Sequence, residues 1–109
     1  MRFTTEKPAE EMTMLELAHN CCYIGPDKNA RYRNYCEDWD AREFVKALLY
    51  KFTGKKYNIC DSDFDELILE FMQHGTEDMY GVFAIMYNLI WSMAELRERL
   101  KKYEDGGKK

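Results

Sequence analysis

The longest uninterrupted pattern in the sequence is an apolar repeat that runs from residue 79 to residue 103. Its apolar residues follow one another at alternating three- and four-residue steps, the heptad spacing of a helix with one apolar stripe. The stripe consists of Met79, Val82, Met86, Leu89, Met93, Leu96, Leu100 and Tyr103. A strand cannot hold residues of this period on one face, because its side chains repeat every two residues. The pattern therefore predicts a long C-terminal helix.

The surroundings of this stripe differ between the two halves of the helix. A second apolar row, Phe83, Tyr87, Ile90 and Trp91, flanks only the first half, which therefore suits a core. The second half has the narrow stripe of a coiled coil. A helix of about 27 residues spans roughly 40 Å, which is more than the diameter of a compact domain of this chain length. We therefore expect its basic end to protrude. Homodimerisation through Leu96, Leu100 and Tyr103 is one hypothesis, and burial under the N-terminal helix is the alternative.

Three further helices are indicated by periodicity and by end signals. The first is predicted in the segment EEMTMLELAHNCCY, whose apolar residues have mostly helical spacing. The second is predicted in DWDAREFVKALLYKFTG, where Asp40 is a suitable N-cap and Gly54 is suited to end the helix. A third helix is predicted at about residues 62–74, ended by Gly75, and Thr76 is the predicted cap of the last helix. The turn sequence IGPDKN before ARYRNY is compatible with a small hairpin near residues 23–35. We predict an all-α fold, a compact bundle of about four helices with a long C-terminal helix.

Length and composition indicate one cytoplasmic domain. At 109 residues, 46% of them apolar, the chain has the commonest domain size, and we expect residues 1–8 and 105–109 to be frayed. No apolar run approaches the ~18 residues that a membrane span requires, and the N-terminus is too polar for a secretory signal. In the cytoplasm the four cysteines are expected to be free thiols, and Cys21 and Cys22 are adjacent.

Charge is distributed unevenly along the chain. Although the net charge is only -4, residues 57–96 contain eight acidic residues and neither Lys nor Arg. A stretch without cations is unsuited to binding phosphate groups, but its negative charge would attract a basic partner and speed their association. The candidate partner-binding residues are Asp61, Asp63, Glu66, Glu70, Glu77 and Asp78. A plain solvated acidic face is the competing interpretation.

The most acidic stretch, DSDFDE at residues 61–66, has carboxylates at the first, third and fifth positions of a calcium loop. Glu66 stands where that loop requires a glycine, and Met72 stands where it requires a bidentate glutamate. The apolar helix also begins inside the supposed loop. We therefore interpret the stretch as the start of a helix capped by one of the residues 61–63.

No combination of residues predicts a catalytic site, a metal site or a cofactor. Soft ligands are present at His19, Cys21, Cys22, Cys36, Cys60 and His74, but none forms a C-x-x-C knuckle. A cysteine nucleophile would also need a base and an orienting group in one cleft. Direct nucleic-acid binding is disfavoured as the main role. Its candidate contacts are Arg31, Arg33, Lys101 and Lys102.

The segment WSMAELRERLKKYEDGG resembles small accessory proteins of prophages in Gram-positive gut bacteria, which carry a segment of the form RLKxYEDTG. The matching residues are Arg99, Leu100, Lys101, Tyr103, Glu104 and Asp105. Gly106 stands where those proteins have a threonine, and weaker similarity extends to MLELAHN, ARYRNY, DARE and GTED.

Prophage genes of this size and acidity often encode host-takeover or counter-defence factors, including anti-CRISPR proteins. The resemblance therefore implies a noncatalytic phage-encoded protein that binds and inhibits a macromolecule of the bacterial host, most specifically a CRISPR effector nuclease. Carboxylates of the acidic block would stand in for phosphate charges. The alternatives are a coiled-coil homodimeric structural or regulatory phage protein and a nucleic-acid-binding accessory protein.

Overall fold

The computed structural model describes residues 2–106, and the fold is mixed α/β, with 58% helix and 10% strand. The helices are α1 (Met14–Asn20), α2 (Ala41–Thr53), α3 (Asp61–Met72) and α4 (Met79–Glu104), with a short 3-10 helix at Ala9–Glu11. The strands are β1 (Cys22–Ile24), β2 (Ala30–Arg33) and β3 (Asp38–Asp40). All the predicted helices are present, but the three-stranded antiparallel sheet makes the all-α prediction wrong.

The first turn of the sheet joins β1 to β2. The Gly25 amide donates to the Asn29 carbonyl at 2.9 Å, and Lys28 adopts a left-handed φ of 70°. The Asp27 carboxylate accepts from the Asn29 amide at 3.1 Å, a local bond typical of Asx turns. The hairpin compatible with residues 23–35 is therefore present, with Ile24 opposite Ala30.

The third strand is formed by the segment that follows Asn34. The Asn34 side-chain oxygen accepts from the amides of Cys36 and Glu37 at 2.8 and 2.9 Å, so the chain reverses. Trp39 of β3 then lies opposite Tyr32 of β2. Periodicity does not mark β3, because the strand has three residues and two are aspartates, which are depleted in strands.

The chain divides into two compact units with their own buried side chains. Unit 1 consists of residues 1–40 and 90–109, and unit 2 consists of residues 41–89. The buried side chains of unit 1 are Thr4, Ala9, Met12, Leu17, Asn20, Ala30, Ile90, Ala94 and Arg97. Those of unit 2 are Ala41, Arg42, Val45, Leu49, Phe64, Ile68, Ala84 and Tyr87.

The N-terminal segment of unit 1 is held by the acidic end of α4. Thr4 is only 3% exposed, and its amide donates to Glu104 Oε1 at 3.0 Å. Arg2 forms an ion pair with Asp105 at 2.7 Å. These contacts lie within the ends that the sequence led us to expect frayed, and two carboxylates of the YED motif have a structural role. Of the terminal residues expected to fray, 1 and 107–109 lie outside the described residues.

Two glycines end helices of unit 2 as predicted. Gly54 has a φ of +77°, and its amide donates to the Tyr50 carbonyl at 2.8 Å, which closes the last turn of α2. Gly75 follows α3 with a φ of +58°. Both conformations are left-handed, where an L side chain is strained.

The predicted N-caps of α3 and α4 are displaced. The N-cap of α3 is Cys60, whose side chain makes no capping hydrogen bond, so capping by residues 61–63 is wrong. At α4, Asp78 Oδ1 accepts from the Gly81 amide at 3.2 Å, which makes Asp78 the cap in place of Thr76. The reason is that residues 73–77 continue as hydrogen-bonded turns beyond α3 and delay the next helix.

Helix α4 buries the row beside the predicted stripe. Tyr87 is 4% and Ile90 is 5% exposed, whereas Leu89 is 58% and Leu96 is 59% exposed. Two alanines, Ala84 and Ala94, complete the buried row. The heptad stripe therefore faces largely outward. No helix among residues 2–106 combines the length and the apolar character needed to cross a membrane.

Candidate interaction surface

Three acidic side chains form a row on the outer face of α3. Phe64 and Ile68 face the core of unit 2, and Asp63, Glu66 and Glu70 are exposed. Helical geometry places the three carboxylates within about 60° of one another and along about 10 Å of the axis. None of them forms an ion pair with another residue between 2 and 106. We call Asp63, Glu66 and Glu70 the acidic stripe.

Asp65 belongs to the opposite side of α3. Its carboxylate accepts two hydrogen bonds from Arg42, at 3.1 and 2.8 Å, and one from the Tyr87 hydroxyl at 2.6 Å. Burial alone would raise the pKa of Asp65, but the bonds from Arg42 and Tyr87 outweigh it and lower the pKa. Asp61 lies 3.5 Å from the same guanidinium. Arg42 therefore offsets part of the charge of Asp61, which leaves it outside the stripe.

The last two predicted partner-binding residues precede α4. Asp78 Oδ2 lies 2.7 Å from His74 Nδ1, and this contact is the main reason that the pKa of Asp78 is lowered. Asp78 also caps α4, so its carboxylate is engaged locally. Glu77 is exposed. Of the six candidates, α3 brings together Asp63, Glu66 and Glu70.

A large apolar side chain lies beside the acidic stripe. Leu69 is 64% exposed and lies about 60° from Glu66 around the helix. Met72, at the end of α3, is 39% exposed but lies about 180° from Asp63 around the helix, on the opposite face from the stripe. Leu69 falls outside the apolar row of the helix, and this misfit is the signal that could have identified it. Carboxylates next to an exposed leucine suit a protein partner better than bulk solvent.

The candidate dimer residues lie on the part of α4 that belongs to unit 1. Leu96 and Tyr103 are each 59% exposed, and Leu100 is half-buried. The alternative in which the N-terminal helix covers them is wrong, because two of the three keep most of their surface accessible.

The candidate nucleic-acid residues are mostly engaged within unit 1. Their partners are Asp38 for Arg31, the Asn20 carbonyl and the Tyr23 ring for Arg33, and Asp105 for Lys101, while Lys102 is exposed. Arg33, Arg97 and Lys101 line a cavity of about 330 Å³ together with Glu6 and Glu98. Arg97 pairs with both carboxylates and Lys101 pairs with Glu6, so two of the three cations are already engaged.

The soft metal ligands do not converge. Within residues 2–106, no group of three or more His, Cys, Asp or Glu side chains is placed to hold a metal ion. The four cysteines are free thiols. Cys21 and Cys22 have sulfur atoms 3.9 Å apart, and their mutual hydrogen bond lowers the pKa of Cys21 to about 6 and raises that of Cys22. His19 packs edge-on against Phe3, with ring centroids 5.1 Å apart.

Comparison of the chain with protein-family models, curated proteins and solved structures finds no match.

Proposed function

We propose that the protein is a noncatalytic, phage-encoded inhibitor that binds a basic surface of a host macromolecule through the acidic stripe of α3. The most specific form of the proposal, suggested by the resemblance of the C-terminal segment, takes a CRISPR effector nuclease as the target. The observation that carries the proposal is that Asp63, Glu66 and Glu70 share one exposed face without an ion-pair partner among residues 2–106.

The charge density of the stripe supports mimicry of a nucleic acid. Successive carboxylates are separated by about 5 Å along the helix, compared with about 3.4 Å between charges along one strand of DNA. A channel that binds phosphates with Lys and Arg would therefore meet a comparable row of negative charges. Carboxylates that already lack an internal cation lose no ion pair when they bind such a channel.

The exposed Leu69 side chain beside the stripe supplies a second component of binding. Charge steers the encounter and sets its dependence on salt, whereas burial of Leu69 contributes affinity that salt does not screen. The proposed complex therefore weakens as salt is raised but retains a residual affinity.

Charge reversal within the stripe tests the proposal. Purified protein is added to a panel of guide-loaded CRISPR effector nucleases, and cleavage of matched DNA is followed. We expect one nuclease to be inhibited, and Asp63→Lys with Glu70→Lys to weaken that inhibition by about tenfold or more, because two attractive charges become repulsive.

The matched control is Glu10→Lys with Glu11→Lys, which changes the net charge equally at two exposed positions of the 3-10 helix. The control is expected to inhibit as the natural chain does. Equal losses in both variants would reject the stripe in favour of overall charge. A stripe variant with full potency would reject the acidic contact, and a panel without any inhibited nuclease would reject this class of target.

A further inference from the structure

Two adjacent cysteines lie where α1 meets the sheet of unit 1. Cys21 is the C-cap residue of α1, and Cys22 is the first residue of β1. Adjacent side chains within a strand point to opposite faces, but Cys21 keeps helical backbone angles, with φ -71° and ψ -27°. This change of backbone between the two residues lets their sulfur atoms meet at 3.9 Å, where they share a hydrogen bond. We call Cys21 and Cys22 the thiol pair.

The surroundings of the thiol pair hold it in place and leave it accessible. The Arg33 amide donates to the Cys21 carbonyl at 2.8 Å, and Cys22 lies opposite Tyr32 in the sheet. The Cys21 side chain also packs against buried apolar residues of unit 1. Both cysteines are nevertheless only partly buried, so a small solute reaches their sulfur atoms.

The shared hydrogen bond gives the two thiols different roles. It is the main reason that the pKa of Cys21 is lowered, and the positive charge of Arg33 acts in the same direction against the effect of burial. The same bond, together with burial, raises the pKa of Cys22. Cys21 is therefore the thiolate of the pair and Cys22 the thiol that donates to it. The thiolate is the form that reacts with oxidants.

We propose that the thiol pair is an oxidation site at which hydrogen peroxide converts Cys21 and Cys22 into a reversible vicinal disulfide. In the first step the Cys21 thiolate attacks the peroxide, so that an S–O bond forms, the O–O bond breaks, and hydroxide leaves and takes up a proton to become water. In the second step the Cys22 sulfur attacks the sulfenic acid, so that the S–S bond forms, the S–O bond breaks, and the hydroxyl leaves as water with the Cys22 proton. The two sulfur atoms together lose two electrons, which the peroxide accepts.

The position of the pair in the chain makes the disulfide easy to reverse. The peptide bond between Cys21 and Cys22 is trans, so their Cα atoms are about 3.8 Å apart. Disulfides ordinarily join Cα atoms that are roughly 4.4–6.8 Å apart, and those outside this range are strained and more readily reduced. The disulfide therefore forms under peroxide and is lost to a reducing thiol. This site does not depend on the inhibitory function, because its oxidation is measured on the chain itself.

The first test counts thiols on the full chain. The reduced protein is exposed to hydrogen peroxide near neutral pH, its remaining thiols are alkylated, and peptides are mapped by mass spectrometry. We expect two of the four thiols to be lost, with Cys21 and Cys22 linked within one peptide, and reduced glutathione to restore both. The matched control is Cys36→Ser with Cys60→Ser, which removes the two exposed cysteines and should form the same link.

The second test assigns the roles of the two sulfur atoms. Cys22→Ser keeps a hydroxyl that donates to the Cys21 thiolate but lacks the second sulfur, so the sulfenic acid should accumulate and be trapped by dimedone. Cys21→Ser should yield about threefold less adduct or lower, because Cys22 is the less ionised thiol. Four alkylatable thiols after peroxide, sulfinic acid without a link, or links only to other cysteines would overturn the proposal. A larger adduct in Cys21→Ser would overturn the assignment of Cys21 as the attacking thiolate.

Discussion

At the scale of single residues, the buried side chain of Asn20 joins several segments of unit 1. It is 0% exposed, and its Oδ1 accepts from the Thr5 amide at 3.1 Å and from Arg97 Nε at 3.0 Å. Its Nδ2 donates to the carbonyls of Phe3 at 3.0 Å and Glu16 at 2.7 Å. Every donor and acceptor of the amide is therefore used, and the buried Arg97 charge has an acceptor.

Replacement of Asn20 should be costly because its partners stay buried. Asn20→Leu leaves Arg97 Nε and the Thr5 amide without their acceptor, and we expect it to lower the free energy of unfolding by about 3 kcal/mol. Urea unfolding followed by circular dichroism measures the change. The exposed Asn58 provides the control, since Asn58→Leu should shift stability by less than about 0.5 kcal/mol. Equal effects at the two positions would contradict the role of the network.

At the scale of elements, the start of α4 is placed by a contact between two glycines of unit 2. A Cβ at Gly81 would lie 1.8 Å from the Gly75 carbonyl oxygen, so the helix can approach the preceding turn only without a side chain there. Glycine inside a helix ordinarily costs up to about 1 kcal/mol relative to alanine. The close approach gives this glycine a packing reason.

Gly81→Ala should therefore destabilise the protein although it improves helix propensity. We expect a loss of about 2 kcal/mol in the free energy of unfolding, since the obstacle is backbone and cannot rotate away. Gly54→Ala is the comparison variant for steric overlap with the backbone. A Cβ at Gly54 meets open space, so only the left-handed φ of +77° is strained there. Thermal unfolding of both variants measures the change in stability. A Gly81→Ala protein as stable as the natural chain would contradict the close approach.

At the scale of the whole molecule, the engaged carboxylates make stability dependent on acid. Hydrogen bonds from the Phe3 amide and from Thr4 lower the pKa of Glu104 from 4.5 to about 2. The pKa values of Asp65, Asp78 and Asp105 are also lowered, by Arg42, His74 and Arg2 respectively. A carboxylate with a lowered pKa in the folded state stabilises the fold above its unfolded pKa, and the contribution is lost as pH falls through the folded pKa.

The free energy of unfolding should therefore fall between about pH 4.5 and pH 2, as these carboxylates are protonated. Glu104→Gln should be less stable than the natural chain at pH 7, and the difference should shrink towards pH 2. Urea titrations at several pH values provide the measurement, with Glu10→Gln as an exposed control. A constant difference for Glu104→Gln across this range would show that its ionisation is not coupled to folding.

The sequence determined the features that depend on near neighbours. Apolar steps of three and four residues predicted the four helices, Gly54 and Gly75 marked helix ends, and the turn at Gly25 indicated the hairpin. The acidic stripe was also foreseeable, because spacing alone places Asp63 and Glu70 on one face of α3. Each of these features is a property of one segment and its backbone.

Only the tertiary structure decided which surfaces are buried. A heptad pattern shows that a helix has an apolar stripe, but what packs against each face depends on residues far along the chain. Helix α4 therefore buries Ala94 and Arg97 and leaves Leu96 exposed, because Arg97 finds Asn20 and Thr5 across a distance in sequence that periodicity does not register. Strand β3 exists for the same reason, since three residues become a strand only when β2 supplies their hydrogen-bonding partners.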